Sequence, residues 1–260
     1  MPMRDPHVVA LVYRAKAPNG FVYHDPPPVE AETEFFRLRL DAGRLRVEPK
    51  AHIASPDEVR PDVERLTRSW MIASSLERGF PEIEFEYERA EIIDRIPPPP
   101  GVVEGYGVAM AGGASVRASG TVTSNRYAYP ELPLDFAASP DVETLWNRYP
   151  GFLAGREPLL SMAYFCFTAI VAMAGGVDEA SARFKIARPV LKKLSELSST
   201  RGGATDARKY EAKGTLAALS QPERKWLDAV VRQVIRRVGQ EATGAAPLVL
   251  AMTDLPPLGP

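Results

Sequence analysis

The stretch Glu82-Ile83-Glu84-Phe85-Glu86-Tyr87-Glu88 decides the fold class of the N-terminal half of the chain. Apolar residues and glutamates alternate through it without interruption. Because successive side chains of a strand point to opposite faces, the pattern predicts a β-strand with one buried face and one charged face. The charged face of such a strand meets water or a basic partner. After Arg89 the apolar positions change parity, to Ala90 and Ile92, which predicts a β-bulge.

Similar strand patterns surround this stretch on both sides. They lie at Val8–Tyr13, Phe35–Leu40, Arg44–Val47, Val102–Met110 and Ala114–Tyr127. Asp41-Ala42-Gly43 joins the second to the third and is typical of a short hairpin connection. Gly112-Gly113 joins the last two and predicts a long hairpin. We therefore expect an antiparallel β-sheet within residues 1–135.

One helix interrupts these strands. Ser55-Pro56-Asp57-Glu58 has the pattern of a capping box, with proline at the first helical position. Apolar residues follow at helical spacing, and Gly79 is a plausible end. Pro61 lacks an N–H group and would clash with the preceding turn. We therefore predict that the helix begins near Arg60 and that Ser55 caps a separate turn.

From residue 139 the apolar period becomes helical. Four helices are predicted. The first begins at Ser139-Pro140 and ends before Pro150, the second spans Glu157 to Ala174, and the third spans 179–198 with a break at Pro189. The fourth begins at the capping box Ser220-Gln221-Pro222-Glu223 and ends at Val238. The polar segment 200–213 between the last two predicts a loop. The predicted fold class is α+β: an antiparallel β-rich domain with one helix (1–135), a bundle of about four helices (139–246) and a proline-rich tail (247–260).

The segment Pro158–Val177 contains twenty residues without a charge, which is long enough for a membrane span. Serine, tyrosine, threonine and many alanines occur within it, and Glu157 and Asp178 flank it without an aromatic belt. These features favour a buried core helix over a span, which stays the minor alternative. They also predict that Cys166, the only cysteine, is a buried and inert thiol.

A single cysteine excludes an intramolecular disulfide, so nothing indicates an oxidising compartment. The first apolar run is short, and Arg14 and Lys16 stand where a cleaved signal peptide has small neutral residues. We therefore expect a cytoplasmic protein. Proline, at 25 of 260 residues, occurs at about twice the usual frequency and predicts many rigid loops.

Positive charge is concentrated in residues 179–240. This segment holds 14 Lys and Arg against 6 Asp and Glu, a net charge of +8 in a chain whose total is −1. On the final helix the apolar face is Trp226, Leu227, Val230, Val231, Val234, Ile235 and Val238. At 100° per residue, Lys225, Arg232 and Arg236 lie within about 40° of each other on the opposite side.

Other cations extend this pattern: Lys192 and Lys193 precede the final helix, and Arg208 and Lys209 lie in the polar segment. Three explanations remain open for these basic residues. They can form a solvated helix face, contact the glutamate row of the N-terminal half, or bind an anionic partner such as nucleic acid through phosphate contacts. No aromatic residues alternate with the cations on the helix, which argues against a stacking platform for single strands.

Motifs for catalysis or cofactor binding are absent from the sequence. The only histidines are His7, His24 and His52, at irregular spacing, and no HExxH, CxxC, GxSxG or P-loop pattern occurs. We therefore predict neither a metal site nor a cofactor. An enzyme with a site around His24, His52 and the glutamate row of the β-rich domain remains the alternative.

Three stretches of the helical half carry a resemblance: Gly155-Arg-Glu-Pro-Leu-Leu160, Val190-Leu-Lys-Lys-Leu-Ser-Glu-Leu-Ser198 and Arg208-Lys209. Over residues 140–240 the chain resembles uncharacterised bacterial proteins and, more loosely, the HEPN-type helical bundles of toxin and phage-defence systems. HEPN ribonucleases use an Arg-x4–6-His motif, whereas this chain has no histidine after His52. The resemblance therefore implies a non-catalytic bundle that binds a partner.

These observations predict a non-catalytic binding or accessory protein. Its basic helical surface is expected to contact an acidic partner, either a protein or a nucleic acid, through Lys192, Lys193, Arg208, Lys209, Lys225, Arg232 and Arg236. Exposed charges are screened by salt, so binding by this surface should weaken as the ionic strength rises.

Overall fold

The computed structural model describes residues 5–18, 21–96, 124–202 and 217–259. The chain divides into two compact units, Met1–Leu134 and Asp135–Pro260. The first contains an antiparallel sheet and one helix, and the second is helical. The predicted α+β class is therefore confirmed.

The N-terminal unit is built on a five-stranded sheet. Its strands are β1 (Pro6–Lys16), β3 (Val29–Glu32), β4 (Phe36–Asp41), β5 (Arg44–Pro49) and β6 (Glu84–Asp94). They lie in the order β3-β4-β5-β1-β6, and every neighbouring pair is antiparallel. Two further strands, β2 (Phe21–Tyr23) and β7 (Ser124–Arg126), form a separate parallel pair. The predicted strand Val102–Met110, and most of Ala114–Tyr127, lie outside the described residues.

The hairpin and the bulge follow their predictions. Ala42 and Gly43, which join β4 to β5, both have positive φ, 47° and 74°, as a tight two-residue turn between twisted strands requires. In β6, Arg89 pairs with Val12 and Tyr87 with Tyr13, so Glu88 is the extra residue of a bulge.

The prediction that Glu82 belongs to the strand, in one row with Glu84, Glu86 and Glu88, was wrong. The strand begins only at Glu84, and the Glu82 side chain is 3% exposed. Its carboxylate lies 3.5 Å from Arg78 Nε and 4.0 Å from Arg126 Nε. Alternation along the sequence could not show this, because the buried position depends on residues that precede and follow the strand.

Helix α1 (Pro56–Arg78) covers one face of the sheet and is continuous. The prediction that it begins near Arg60 was wrong, because Ser55 caps this helix by accepting a hydrogen bond from Asp57 N. Pro61 lies in its second turn, where the missing N–H group costs one bond near the helix end. Val63 and Trp70 pack into the core that the sheet forms, and Trp70 Nε1 donates to Pro130 O at 3.1 Å.

The opposite face of the sheet is charged, yet it buries Val12 of β1. Val12 is only 2% exposed, between its cross-strand neighbours Arg46 and Arg89. Both arginines form ion pairs with Glu91. Residues directly opposite on neighbouring strands share a face, so the aliphatic parts of the two arginines cover the valine.

The C-terminal unit contains six α-helices in the part of the chain that the structure describes, and a short 3-10 helix at Met252–Asp254. The α-helices are α2 (Pro140–Trp146), α3 (Tyr149–Leu153), α4 (Leu159–Ala174), α5 (Val177–Arg183), α6 (Arg188–Thr200) and α7 (Gln221–Ala242). Ser139 caps α2, and Ser220 and Glu223 form the predicted capping box of α7. The entire predicted apolar face of α7 is buried.

The break between α5 and α6 differs from the prediction. It spans residues 184–187, where Lys185 has a positive φ of 53°, and Pro189 lies in the first turn of α6. Proline is tolerated there because the first N–H groups of a helix have no partner within it. Ala187 N donates to Leu250 O at 2.9 Å and Leu250 N to Lys185 O at 2.8 Å, which ties the C-terminal segment to this break.

The apolar helix α4 is shorter than the uncharged segment, because Gly175 ends it in a left-handed conformation. No single helix among the described residues is both long and apolar enough to cross a membrane. Together α4 and α5 reach that length and apolarity, but they are bent by 86° at the two glycines. Burial of Cys166 is confirmed and raises the pKa of its thiol to about 12. The expected core helix is buried only on one side, since Phe167 and Val171 are partly exposed.

Candidate functional site

The predicted basic residues of the final helix differ in exposure. Lys225 is exposed, whereas the side chains of Arg232 and Arg236 are 23% and 30% exposed. On α6, Lys192 is exposed and Lys193 is partly buried. Arg208 and Lys209 lie outside the described residues.

Most of these cations have carboxylate partners inside the C-terminal unit. Arg232 Nη2 lies 3.1 Å from Asp228 Oδ2, Arg236 Nη2 lies 3.9 Å from Asp135 Oδ2, and Lys193 Nζ lies 2.8 Å from Glu196 Oε1. Neighbouring pairs are Arg183–Glu241, Arg188–Asp178 and Arg201–Glu223. Over Asp135–Pro260 there are 16 Lys and Arg against 13 Asp and Glu, a net charge of only +3.

Lys192 and Lys225 are the predicted site residues that remain without such a partner. Neither has a carboxylate oxygen within 4 Å in the ranges that the structure covers. They lie on different helices, α6 and α7, so the predicted set is not one continuous row of unpaired cations.

Lys192 borders an open groove between α4, α5 and α6. The groove has a volume of about 780 Å³. Its apolar lining comes from Phe167, Val177, Pro189 and Leu191. Val177 is 40% exposed, and the paired charges of Arg188 and Asp178 lie beside it. An apolar surface beside an exposed cation can bind a ligand that has both apolar and acidic groups.

The residues of the alternative enzyme site have different neighbours. The His24 ring lies 6.3 Å from the ring of Tyr127, whereas His52 contacts His7 and Asp5. Glu86 pairs with Lys16, and Glu88 lies near Arg14 and Arg44. Within the described ranges, no group of three or more His, Cys, Asp or Glu residues is arranged to hold a metal ion. The enzyme hypothesis stays a prediction.

Comparison with known proteins gives no family for this geometry. No protein-family model matches the chain, and neither a curated protein nor a solved structure does. The resemblance of the helical half to HEPN-type bundles therefore stays a prediction. Contacts, exposure and charge are the basis on which a function can be proposed.

Sequence reasoning missed both the groove and the neutralised arginines. Asp228 and Arg232 lie four residues apart on one helix, a spacing at which side chains meet. The sequence could therefore have predicted this ion pair. The sequence could not predict the partner of Arg236, because Asp135 lies before the first helix of the unit, about 100 residues away along the chain. The groove depends on how three helices pack, for which the sequence has no local signal.

Proposed function

We propose that this is a non-catalytic binding protein whose helical unit binds an acidic, amphipathic helix of a partner protein. The groove between α4, α5 and α6 is the binding site in this proposal. The observation that carries it is the position of Lys192, an exposed and unpaired cation beside an apolar lining.

The lining of the groove favours a protein over a nucleic acid. Phosphate contacts need accessible cations but no apolar surface, whereas Phe167, Val177 and Pro189 offer contact to apolar side chains. Arg232 and Arg236, which a phosphate backbone would need, are half-buried beside Asp228 and Asp135. A protein segment can contact both the apolar lining of the groove and the unpaired cation Lys192.

An amphipathic helix fits a groove between helices. Such ligands insert apolar side chains at positions i, i+3, i+4 and i+7 and keep their polar face at the rim. Acidic residues on that face complement Lys192, because the two carboxylates that line the groove, Asp178 and Glu196, already pair with Arg188 and Lys193. Charge complementarity of this kind sets specificity and association rate more than total affinity.

The test is fluorescence anisotropy with two labelled amphipathic peptides of identical apolar face. One has glutamates on its polar face, and the other has lysines at the same positions. We expect the acidic peptide to bind at least about tenfold more tightly, with an affinity that falls as salt rises. Val177→Glu, which places a charge in the apolar lining, should weaken binding of the acidic peptide.

Lys192→Glu and Lys225→Glu form a matched pair, since both lysines are exposed and unpaired but only Lys192 borders the groove. The proposal expects loss of acidic-peptide binding with Lys192→Glu and little change with Lys225→Glu. Equal losses in the two variants, or equal affinity for the two peptides, would overturn it. Labelled RNA and DNA serve as further probes, and tight binding of either would direct the search to nucleic acid.

A further inference from the structure

Two of the three histidines meet at one end of the sheet. His7 lies in β1 opposite Ile93 of β6, and His52 lies in the loop between β5 and α1. The backbone fixes their approach, because Val8 N donates to Ile53 O at 2.8 Å. Val8 and Ile53 directly follow His7 and His52 in the sequence, so this main-chain hydrogen bond holds the two histidines near each other although they are far apart in sequence.

The two imidazole rings lie side by side, at an interplanar angle of 26°. The two Nδ1 atoms lie 3.2 Å apart, and the ring centroids lie 5.1 Å apart. Two imidazoles bound to one tetrahedral ion at about 2.05 Å place their nitrogens about 3.3 Å and their centroids about 5.2 Å apart. A linear N–H···N hydrogen bond of the observed length would separate the centroids by about 5.5 Å and a bent one by about 5.1 Å, so the distances fit both a direct hydrogen bond and a shared metal ion.

Asp5 leaves the Nδ1 lone pair of His52 available. Asp5 Oδ1 lies 3.3 Å from His52 Nε2, and a carboxylate at this nitrogen favours its N–H form, so the acceptor lone pair is on Nδ1. Asp5 is itself held, since its backbone N donates to Asp94 Oδ1 at 3.0 Å and its carboxylate lies 3.8 Å from Arg95 Nε. A carboxylate behind a ligating histidine is the usual outer-shell partner in metal sites.

We propose that His7 and His52 bind a divalent late first-row transition metal ion through their Nδ1 atoms. Imidazole nitrogen suits Cu²⁺, Ni²⁺ and Zn²⁺, and the order of intrinsic affinity places Cu²⁺ first. Among the described residues the two imidazoles are the ligands of this site, since no group of three or more His, Cys, Asp or Glu is arranged to hold a metal ion there. The site lies in the N-terminal unit and does not depend on the groove proposed above.

The experiment is isothermal titration of untagged full-length protein with Cu²⁺ and, separately, Ni²⁺. The wild type should bind one ion per chain, more tightly for Cu²⁺. His7→Gln and His52→Gln should each weaken Cu²⁺ binding at least about tenfold, and Asp5→Asn should weaken it by a similar or smaller factor. His24→Gln is the matched control, because His24 is the only other histidine, and it should leave the affinity unchanged.

The absorption spectrum of the Cu²⁺ complex separates specific from incidental binding. Its d–d band should be lost in His7→Gln and His52→Gln and retained in His24→Gln. Circular dichroism of the metal-free variants checks their fold, and the exposed His52 keeps the test informative if His7→Gln unfolds. Unchanged affinity in His52→Gln, or an equal loss in His24→Gln, would overturn the proposal and leave the contact as a hydrogen bond.

Discussion

Gly239 of α7 lies directly against the ring of Phe136. A Cβ atom at position 239 would overlap the Cε2, Cδ2 and Cζ atoms of that ring. Phe136 is 3% exposed, and Ala137 N donates to Gly239 O at 3.0 Å. The segment that precedes α2 is therefore docked on α7 at a point where only glycine leaves room.

We expect Gly239→Ala to lower the free energy of unfolding by about 1–3 kcal/mol, the usual cost of overpacking a core. Alanine is otherwise the better helix former by about 1 kcal/mol. The expected loss therefore means that the overlap of the added methyl group with Phe136 costs more than this gain. Urea denaturation followed by circular dichroism measures the difference.

A double-mutant cycle with Phe136→Leu identifies the cause of that loss. The smaller side chain should relieve the overlap, so Gly239→Ala should cost less in the Phe136→Leu background. Equal costs in both backgrounds would show that the ring of Phe136 is not what opposes the methyl group.

The turn between β4 and β5 can be stabilised at one position. Ala42 has a φ of 47°, in the left-handed region that costs most residues about 1–2 kcal/mol. Asparagine tolerates this region, and Asn-Gly is the preferred pair for such turns. Ala42→Asn should raise the midpoint of thermal unfolding, whereas Gly43→Ala, at a φ of 74°, should lower it. A lower midpoint with Ala42→Asn would contradict the turn assignment.

The sequence predicted those elements whose structure is set locally. The turn at Ala42-Gly43, the cap at Ser139 and the capping box at Ser220 each depend on a few adjacent residues. The bulge was also visible, because an extra residue changes the parity of the apolar positions, as it does at Glu88.

The sequence could not predict what depends on distant segments. The parallel pairing of β2 with β7 and the contact of His7 with His52 join parts of the chain without a shared local pattern. The burial of Glu82 likewise depends on Arg78 and Arg126, which belong to different elements. Local periodicity indicates which face of an element is buried but not which element covers it.

Arg232 should contribute to stability, unlike Lys225 on the same helix. Its Nε and Nη2 atoms lie 3.2 Å and 3.1 Å from Asp228 Oδ2, and Asp228 Oδ1 accepts a hydrogen bond from Tyr149 at 3.4 Å. Arg232→Ala leaves the Asp228 carboxylate, which is 29% exposed, without this partner. We expect a loss of about 1 kcal/mol in the free energy of unfolding, against less than about 0.5 kcal/mol for Lys225→Ala.

Urea denaturation of the two variants at low and high salt provides the measurement. The difference between them should shrink as salt rises, because part of it is a screened ion-pair energy. Equal stability of the two variants would show that the Arg232–Asp228 pair is inert.

Glu82 should make stability fall as pH rises, in contrast to a typical ion-paired carboxylate. Burial raises the pKa of its carboxyl above the usual range, and the nearby Arg78 and Arg126 offset this only in part. The folded protein thus binds this proton more tightly than the unfolded chain, so the associated stability is complete below the unfolded pKa and is lost as pH rises through the folded pKa. Glu82→Gln, which cannot ionise, should gain stability relative to the wild type as pH rises above the unfolded pKa of about 4.3, as measured by urea denaturation. Glu84→Gln, at an exposed position, is the control, and its stability relative to the wild type should not follow this pH dependence. A loss of stability of Glu82→Gln relative to the wild type would mean that the two arginines outweigh burial.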